Sequence, residues 1–187
     1  MKKIGTINRT KETINSHGFH IKKKFGQNFL VDQNILLKIV NVPTINKETL
    51  VVEIGPGLGS LTEHLLEKSK HVLAYEIDNE LVTILSENFI DENLTIIGED
   101  FLKRDVDLDI KSLNIDYENV VVVANLPYYI TTPIILKIIE ESLIIKELVV
   151  MTQLEVARRL TSKPSTKDYN SLSVAIQYKT NAEIAMK

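Results

Sequence analysis

Five short apolar runs recur along the chain, most of them followed by a stretch with helical periodicity. They are Leu50-Val51-Val52-Glu53-Ile54, His71-Val72-Leu73-Ala74-Tyr75-Glu76, Leu94-Thr95-Ile96-Ile97, Val120-Val121-Val122-Val123-Ala124 and Leu148-Val149-Val150-Met151. Near-continuous apolar character, rather than strict alternation, means that both faces of each strand are covered. Such strands separated by helices build a mostly parallel sheet, and right-handed crossovers wind it on both sides. The chain is therefore read as a doubly wound α/β domain. Helices are expected around residues 35–40, with Asp32 as N-cap, and over 60–68, 79–88, 133–143, 154–160 and 169–178. Residues 103–118 are charged and irregular, with room for a short helix, and residues 182–186 read as the start of a sixth strand.

Composition narrows the chemistry. With 187 residues and 44% hydrophobic content the chain can bury one full core. There is no Cys, which removes disulfides, thiolate zinc sites and a cysteine nucleophile. It also removes methylation of a pyrimidine carbon through a cysteine adduct. His17, His20, His64 and His71 show no metal-ligand spacing, so no metal site is expected. No apolar stretch approaches the roughly 20 residues of a membrane span, and no secretory leader is evident, so a cytoplasmic location is expected. The net charge of −3 hides an asymmetry. Residues 1–28 carry seven Lys/Arg against one acid, and the remainder carries 15 Lys/Arg against 24 Asp/Glu. A basic arm on an acidic body suits a polyanion held at one edge, although charge alone equally describes a solvated tail.

In a doubly wound sheet ligands bind past the carboxyl ends of the strands, and the notable motifs fall there. Glu53-Ile54-Gly55-Pro56-Gly57-Leu58-Gly59 is a glycine-rich turn whose backbone can approach a ligand closely, and the next helix offers free N–H groups. Ser60 stands where the dinucleotide fingerprint needs Gly or Ala. Glu76, 21 residues after Gly55, is placed to accept from two ribose hydroxyls, and Asp100 to accept from an adenine amine. Ile77 and Phe101 are expected to flank that adenine. Each acid taken singly reads as a solvated loop residue; in register at successive strand ends they point to an adenosine-bearing cofactor. The Gly-x-Gly-x-Gly spacing favours S-adenosylmethionine over a nicotinamide dinucleotide, which needs room for a pyrophosphate.

Asn125-Leu126-Pro127-Tyr128 follows the fourth apolar run directly. It supplies a hydrogen-bond acceptor, a rigid turn and a flat aromatic face. Taken alone it is a polar strand end with a proline turn. Beside a methyl-donor site it suits an amine-bearing ring: Asn125 and a nearby backbone carbonyl engage both N–H bonds, and Tyr128 stacks on the ring.

These residues together resemble the ribosomal RNA adenine N6-dimethyltransferases, in particular the bacterial small-subunit branch associated with kasugamycin sensitivity. The likeness runs through Arg9-Thr10-Lys11-Glu12, Phe25-Gly26-Gln27-Asn28-Phe29-Leu30, the glycine turn, Glu76-Ile77-Asp78, Asp100 and the segment 125–132. It continues through Gln153-Leu154-Glu155-Val156-Ala157-Arg158-Arg159-Leu160 and Tyr169-Asn170-Ser171-Leu172-Ser173-Val174. The resemblance implies a Rossmann-like, class I S-adenosylmethionine-dependent fold. It implies that Asn28, the Leu30 backbone, Gly55 and Gly57 hold the methionine part of the cofactor. Glu76 then holds the ribose, Asp100 the adenine, and Asn125 borders the cofactor as well. Asn125, the Leu126 carbonyl, Pro127 and Tyr128 engage the target base. The implied reaction is dimethylation of N6 on two adjacent adenines in the 3′-terminal hairpin loop of small-subunit ribosomal RNA. The partner is that RNA or the immature 30S particle, met by a monomer, with Lys22, Lys23 and Lys24 on phosphates.

Family chains continue beyond the position matching residue 187. There they add a last antiparallel strand, an aromatic covering the base and a helical domain. The resemblance thus implies an arm over 1–31 and a catalytic domain over 32–187 that is cut short near its sixth strand, with weak or no activity. Two other readings stay open: the erythromycin-resistance branch, acting on large-subunit RNA, and a non-catalytic RNA-binding or ribosome-assembly factor on the same scaffold.

Overall fold

The computed structural model describes residues 4–19, 29–127 and 129–187. Strands β1 (Thr49–Ile54), β2 (His71–Tyr75), β3 (Leu94–Ile97), β4 (Asn119–Asn125) and β5 (Glu147–Met151) form one sheet in the order β3-β2-β1-β4-β5. All four pairings are parallel, with Val52 opposite both Leu73 and Val122. The helices are α1 (Ile7–Ser16), α2 (Gln33–Asn41), α3 (Ser60–Lys68), α4 (Asn79–Asn88), α5 (Val106–Ser112), α6 (Thr131–Glu141), α7 (Leu154–Thr161) and α8 (Ser171–Lys179).

Strand periodicity of two assigns each apolar residue to a face. Leu50, Val52 and Ile54 join Leu73, Tyr75, Val120, Val122 and Ala124 in a core with Phe101, Ile110 and Ile134. Val51 joins Val72, Ala74, Val121 and Val123 on the other face, under Leu36 and Ile39 of α2 and Leu65 of α3. Both faces are thus packed, as continuous apolar strands require. From β1 the chain moves outward through β2 to β3, then returns past β1 to β4. The β1/β4 junction is the point where the winding direction reverses.

Helix ends follow local chemistry. The Asp32 side chain accepts from the backbone N–H of Asn34 and Ile35, and Asp78 caps α4 through Glu80 N–H. Asn170 and Ser173 form a reciprocal capping box at α8. His64 shares a hydrogen bond with the Gln33 side chain, and His71 with the Thr95 hydroxyl. Burial lowers His71 below the usual histidine range.

Two regions differ from expectation, and the short helix that residues 103–118 left room for is present. Part of the basic arm is a docked helix, α1, capped by Thr6. It is fastened by the Ile4 N–H donating to Glu63 at 2.9 Å, by a His17–Glu87 contact at 2.9 Å, and by Phe19 and Ile14 packing on Leu58, Leu81 and Ile84. Its buried residues include Thr10 and Thr13, so its inner face carries no apolar periodicity for a sequence reading to find. Residues 103–118 resolve into α5, preceded by a 3-10 turn at Phe101–Lys103. Residues 182–186 form no strand: no ladder bond ties them to β5, although Ala182 packs on the Ile135, Leu160 and Ile176 cluster. A strand exists only through its neighbour's hydrogen bonds.

Gly59, at φ +89°, opens α3 in the left-handed region, and a Cβ there would lie 2.3 Å from the Phe89 ring. Gly59→Ala is expected to lower stability by about 2 kcal/mol or more, since left-handed strain and the ring clash add. Urea denaturation of the two proteins measures it; equal midpoints would show that the turn relaxes freely.

Candidate active site

A cavity of about 380 Å³ opens at the β1/β4 junction, a size suited to a small organic ligand. Its walls come from the carboxyl ends of all five strands or the segments just after them. β1 supplies Gly55 and Gly57, β2 supplies Glu76 and Ile77, and β3 is followed by Glu99, Asp100 and Phe101. β4 supplies Asn125, Leu126 and Pro127, and β5 is followed by Thr152 and Gln153. Phe29 and Leu30 close one side.

The glycine turn is tied to the second strand. Glu76, buried, accepts from Gly57 N–H at 3.1 Å through Oε2 and from Asp78 N–H at 3.0 Å through Oε1. Gly57 has φ +61°, and the Phe29 ring lies 3.2 Å from where its Cβ would stand, so only glycine fits. Burial raises the Glu76 carboxyl, and the N–H groups of Asp78 and Gly57 oppose that rise. A carboxylate has about four acceptor directions, so two bonds leave capacity for a ligand's hydroxyls. Asp100 holds the 3-10 turn by accepting from Leu102 N–H at 3.0 Å.

Ile77 and Phe101 both line the cavity but from different depths. Ile77 is 45% exposed at the rim, whereas Phe101 is 4% exposed and meets Tyr75 edge-on, centroids 5.0 Å apart. The Tyr75 hydroxyl in turn donates to Asp109 at 2.9 Å, and Arg104 donates to the same carboxylate. Burial works against ionising Asp109, yet the bonds from Arg104 and Tyr75 bring it below its ordinary value.

Asn125 ends β4, opposite Met151 of β5. Pro127 cannot extend the ladder, and its carbonyl accepts from Ile130 N–H and the Thr131 hydroxyl, each at 3.1 Å. These bonds tie Pro127 to the start of α6. The structure brings Leu30, Gly55, Gly57, Glu76, Ile77, Asp100, Phe101, Asn125, Leu126 and Pro127 to this one cavity. Asn28, Tyr128 and Lys22, Lys23 and Lys24 lie outside the described residues.

Thr152 and Glu53 are among the cavity residues with no assigned part in the sequence reading. Thr152 lines the cavity, and its buried hydroxyl has no hydrogen-bond partner among the described residues. Glu53 is 1% exposed; its Oε2 accepts from the Thr62 hydroxyl at 2.7 Å, while Oε1 has no hydrogen-bond partner among the described residues. The signal was present in sequence, as a lone acid inside an apolar strand. Burial pushes the Glu53 carboxyl up to about 8, the Thr62 hydroxyl opposing and the Glu76 charge adding to the rise. At neutral pH it therefore carries a proton.

Residues 18–187 match the sequence profile of the family described as Ribosomal RNA adenine dimethylase. The chain belongs to that family. Over 186 residues it is 52% identical to the Bacillus pumilus protein named Ribosomal RNA small subunit methyltransferase A, covering 99% of this chain and 64% of that protein. The Geobacillus kaustophilus protein of the same name is 50% identical over 186 residues, with the same two shares. The chain thus spans a little under two thirds of the length of these relatives. A solved Plasmodium falciparum dimethyladenosine transferase superposes with TM-score 0.66 at 28% identity, over 78% of this chain and 50% of that one. The 23S rRNA methyltransferase ErmE superposes with TM-score 0.58 at 30% identity, over 72% and 51%.

An acid that keeps its proton to higher pH when folded than when unfolded stabilises the fold at low pH. That contribution fades as pH rises from the ordinary value of 4.5 through the folded value of about 8. Glu53→Gln, similar in shape and neutral, should remove this slope. Across that window the wild type should lose stability relative to the variant, by at most about 1.4 kcal/mol per pH unit. Paired urea titrations at several pH values read the difference, and parallel curves would mean that Glu53 is already ionised.

Proposed function

We propose that the cavity binds S-adenosylmethionine and that the chain transfers its methyl group to N6 of adenine in small-subunit ribosomal RNA. The proposed product is dimethylated at two adjacent adenines of the 3′-terminal hairpin loop. The observation that carries this reading is the meeting of Asn125 and Leu126, at the end of β4, with the Gly55–Gly57 turn and the Glu76 and Asp100 carboxylates in a single cavity.

The residues present fit the cofactor's groups. Its hydroxyls, adenine amine and ammonium are donors, and the cavity wall offers the acceptors Glu76 and Asp100. Its carboxylate suits the free N–H groups in the first turn of α3. Gly57 leaves its backbone bare at the wall. When bound, the cofactor supplies an electrophilic methyl carbon on a sulfonium centre.

The amino nitrogen of adenine is a weak nucleophile because its lone pair is delocalised into the ring. The Asn125 side-chain carbonyl and the Leu126 backbone carbonyl, each accepting one N–H, turn that nitrogen tetrahedral and free the lone pair. Tyr128 is assigned the ring face. No general base is required, since the nitrogen becomes acidic once it carries positive charge. Positioning of this kind is worth roughly 7–11 kcal/mol in well-oriented systems. A loop adenine keeps the unstacking cost to a few kcal/mol. The small-subunit branch is favoured over the large-subunit branch by the names and identities of the relatives, 52% for the Bacillus pumilus protein against 30% for ErmE.

Asn125→Ala separates catalysis from passive RNA binding. Cofactor affinity, read by calorimetry, should weaken at most about fivefold, the worth of one neutral hydrogen bond. Label transfer from S-adenosylmethionine to small-subunit RNA should fall about 100-fold or more, the usual cost of losing a group that acts on the reacting centre. Undiminished transfer in the variant would sink the reading.

A further inference from the structure

The segment leaving the cavity wall through α7 and the loop 162–170 is charged opposite to the body around it. Residues 29–151 hold nine Lys/Arg against 21 Asp/Glu, whereas residues 152–179 hold five against two. All five are exposed; Lys179 donates to the Ile139 carbonyl, which sets it apart from Arg158, Arg159, Lys163 and Lys167. Among the described residues none of the four side chains makes an ion pair or hydrogen bond.

Packing sets their direction. Val156 and Leu160 seat α7 against Ile135 of α6 and Ile176 of α8, which leaves Arg158 and Arg159 on the open side of an amphipathic helix. Glu155 stands three and four residues before them, the spacing of a helical ion pair, yet neither guanidinium closes on it. Cations in a last turn complement the helix dipole, and that accounts for Arg158 and Arg159. It does not account for Lys163 and Lys167, which lie beyond the helix. The loop that carries them is tied down. Ser173 donates to the Arg159 carbonyl at 2.6 Å, and Gln177 donates to the carbonyls of Leu160 and Ser162 at 3.2 and 2.8 Å. Unpaired cations on a fixed frame are prepared for a partner that brings the negative charge.

Their place names that partner. Thr152 and Gln153 line the cavity, and α7 starts at the next residue. At a helical rise of 1.5 Å per residue, Arg158 lies only about 8 Å along the axis from the wall. We propose that Arg158, Arg159, Lys163 and Lys167 form a phosphate track for single-stranded RNA, gripping the backbone beside the adenine presented to the cavity. This inference rests on the RNA reading above and adds a surface to it. On a body whose other exposed charge is mainly negative, such a track decides which way the strand runs across the opening.

The test is anisotropy of a labelled hairpin-loop RNA bound to the whole chain over a range of salt. Replacing all four residues by Ala should weaken binding about tenfold or more at moderate salt. It should also flatten the plot of log affinity against log salt by about 0.7 per lost phosphate contact, roughly 2–3 in all. Arg158→Ala with Arg159→Ala, and Lys163→Ala with Lys167→Ala, should each show about half that change, which keeps the test decisive if the fourfold variant folds poorly. Lys111→Ala with Lys146→Ala, before the amino ends of β4 and β5 and away from the cavity, should leave the slope unchanged. RNA binding by the wild type with an unaltered slope in the variants overturns the track alone. An equal loss in the Lys111 and Lys146 variant also overturns it, as a general charge effect. A wild type that binds no RNA overturns the track and the RNA reading together.

Discussion

The parallel pairing of β1 with both β2 and β4 is the constraint on which the site depends. Because all three strands point the same way, their carboxyl ends finish side by side, and the reversal of winding at β1/β4 leaves a gap there that no crossover helix fills. Gly55, Glu76 and Asn125 are distant in sequence but adjacent at that edge. Fold and site therefore rest on the same hydrogen-bond register. A slip of one residue in β4 would turn Asn125 to the opposite face and dismantle the cavity without disturbing the composition of the core.

The cavity is also an electrostatic object. Glu53 and Glu76 are both buried, and burial raises both carboxyls. Glu76 is compensated by two backbone N–H groups, while Glu53 has a single hydroxyl and an unsatisfied oxygen. An unsatisfied buried acceptor costs stability, about 1–3 kcal/mol in general. Such a cost makes physical sense in a cavity wall, where a polar ligand can supply the missing partner. The two buried acids of the cavity wall thus differ in kind: Glu76 is held ready by the turn, and Glu53 is held protonated by its surroundings.

Much of this was legible in the sequence because local signals and tertiary context agreed. The uninterrupted valines of β4 can only be a strand covered on both faces. Residues 60–68 and 79–88 became helices with the expected limits because Gly59 and Asp78 mark their starts chemically. The same logic brought Glu76, Asp100 and Asn125 to one edge. What stayed hidden lacked a local signal. The face of α1 is buried through threonines, and the residues around α5 carry too many charges to fix a helix's limits; the strand expected over 182–186 failed for another reason, since no neighbouring strand pairs with it among the described residues. Glu53 was hidden differently, since its position in the strand was clear but its lack of a second partner is a three-dimensional fact.

The Phe19–Phe29 contact, 6.1 Å between centroids at 63°, connects α1 to the glycine turn. Phe19 rides on the docked helix, and Phe29 presses on the bare backbone of Gly57. Two aromatic plates in series are stiff, so a tilt of the amino-terminal helix reaches the loop's curvature without any polar relay. The outer helix of the chain is thus linked to the cavity wall through two rings and one glycine.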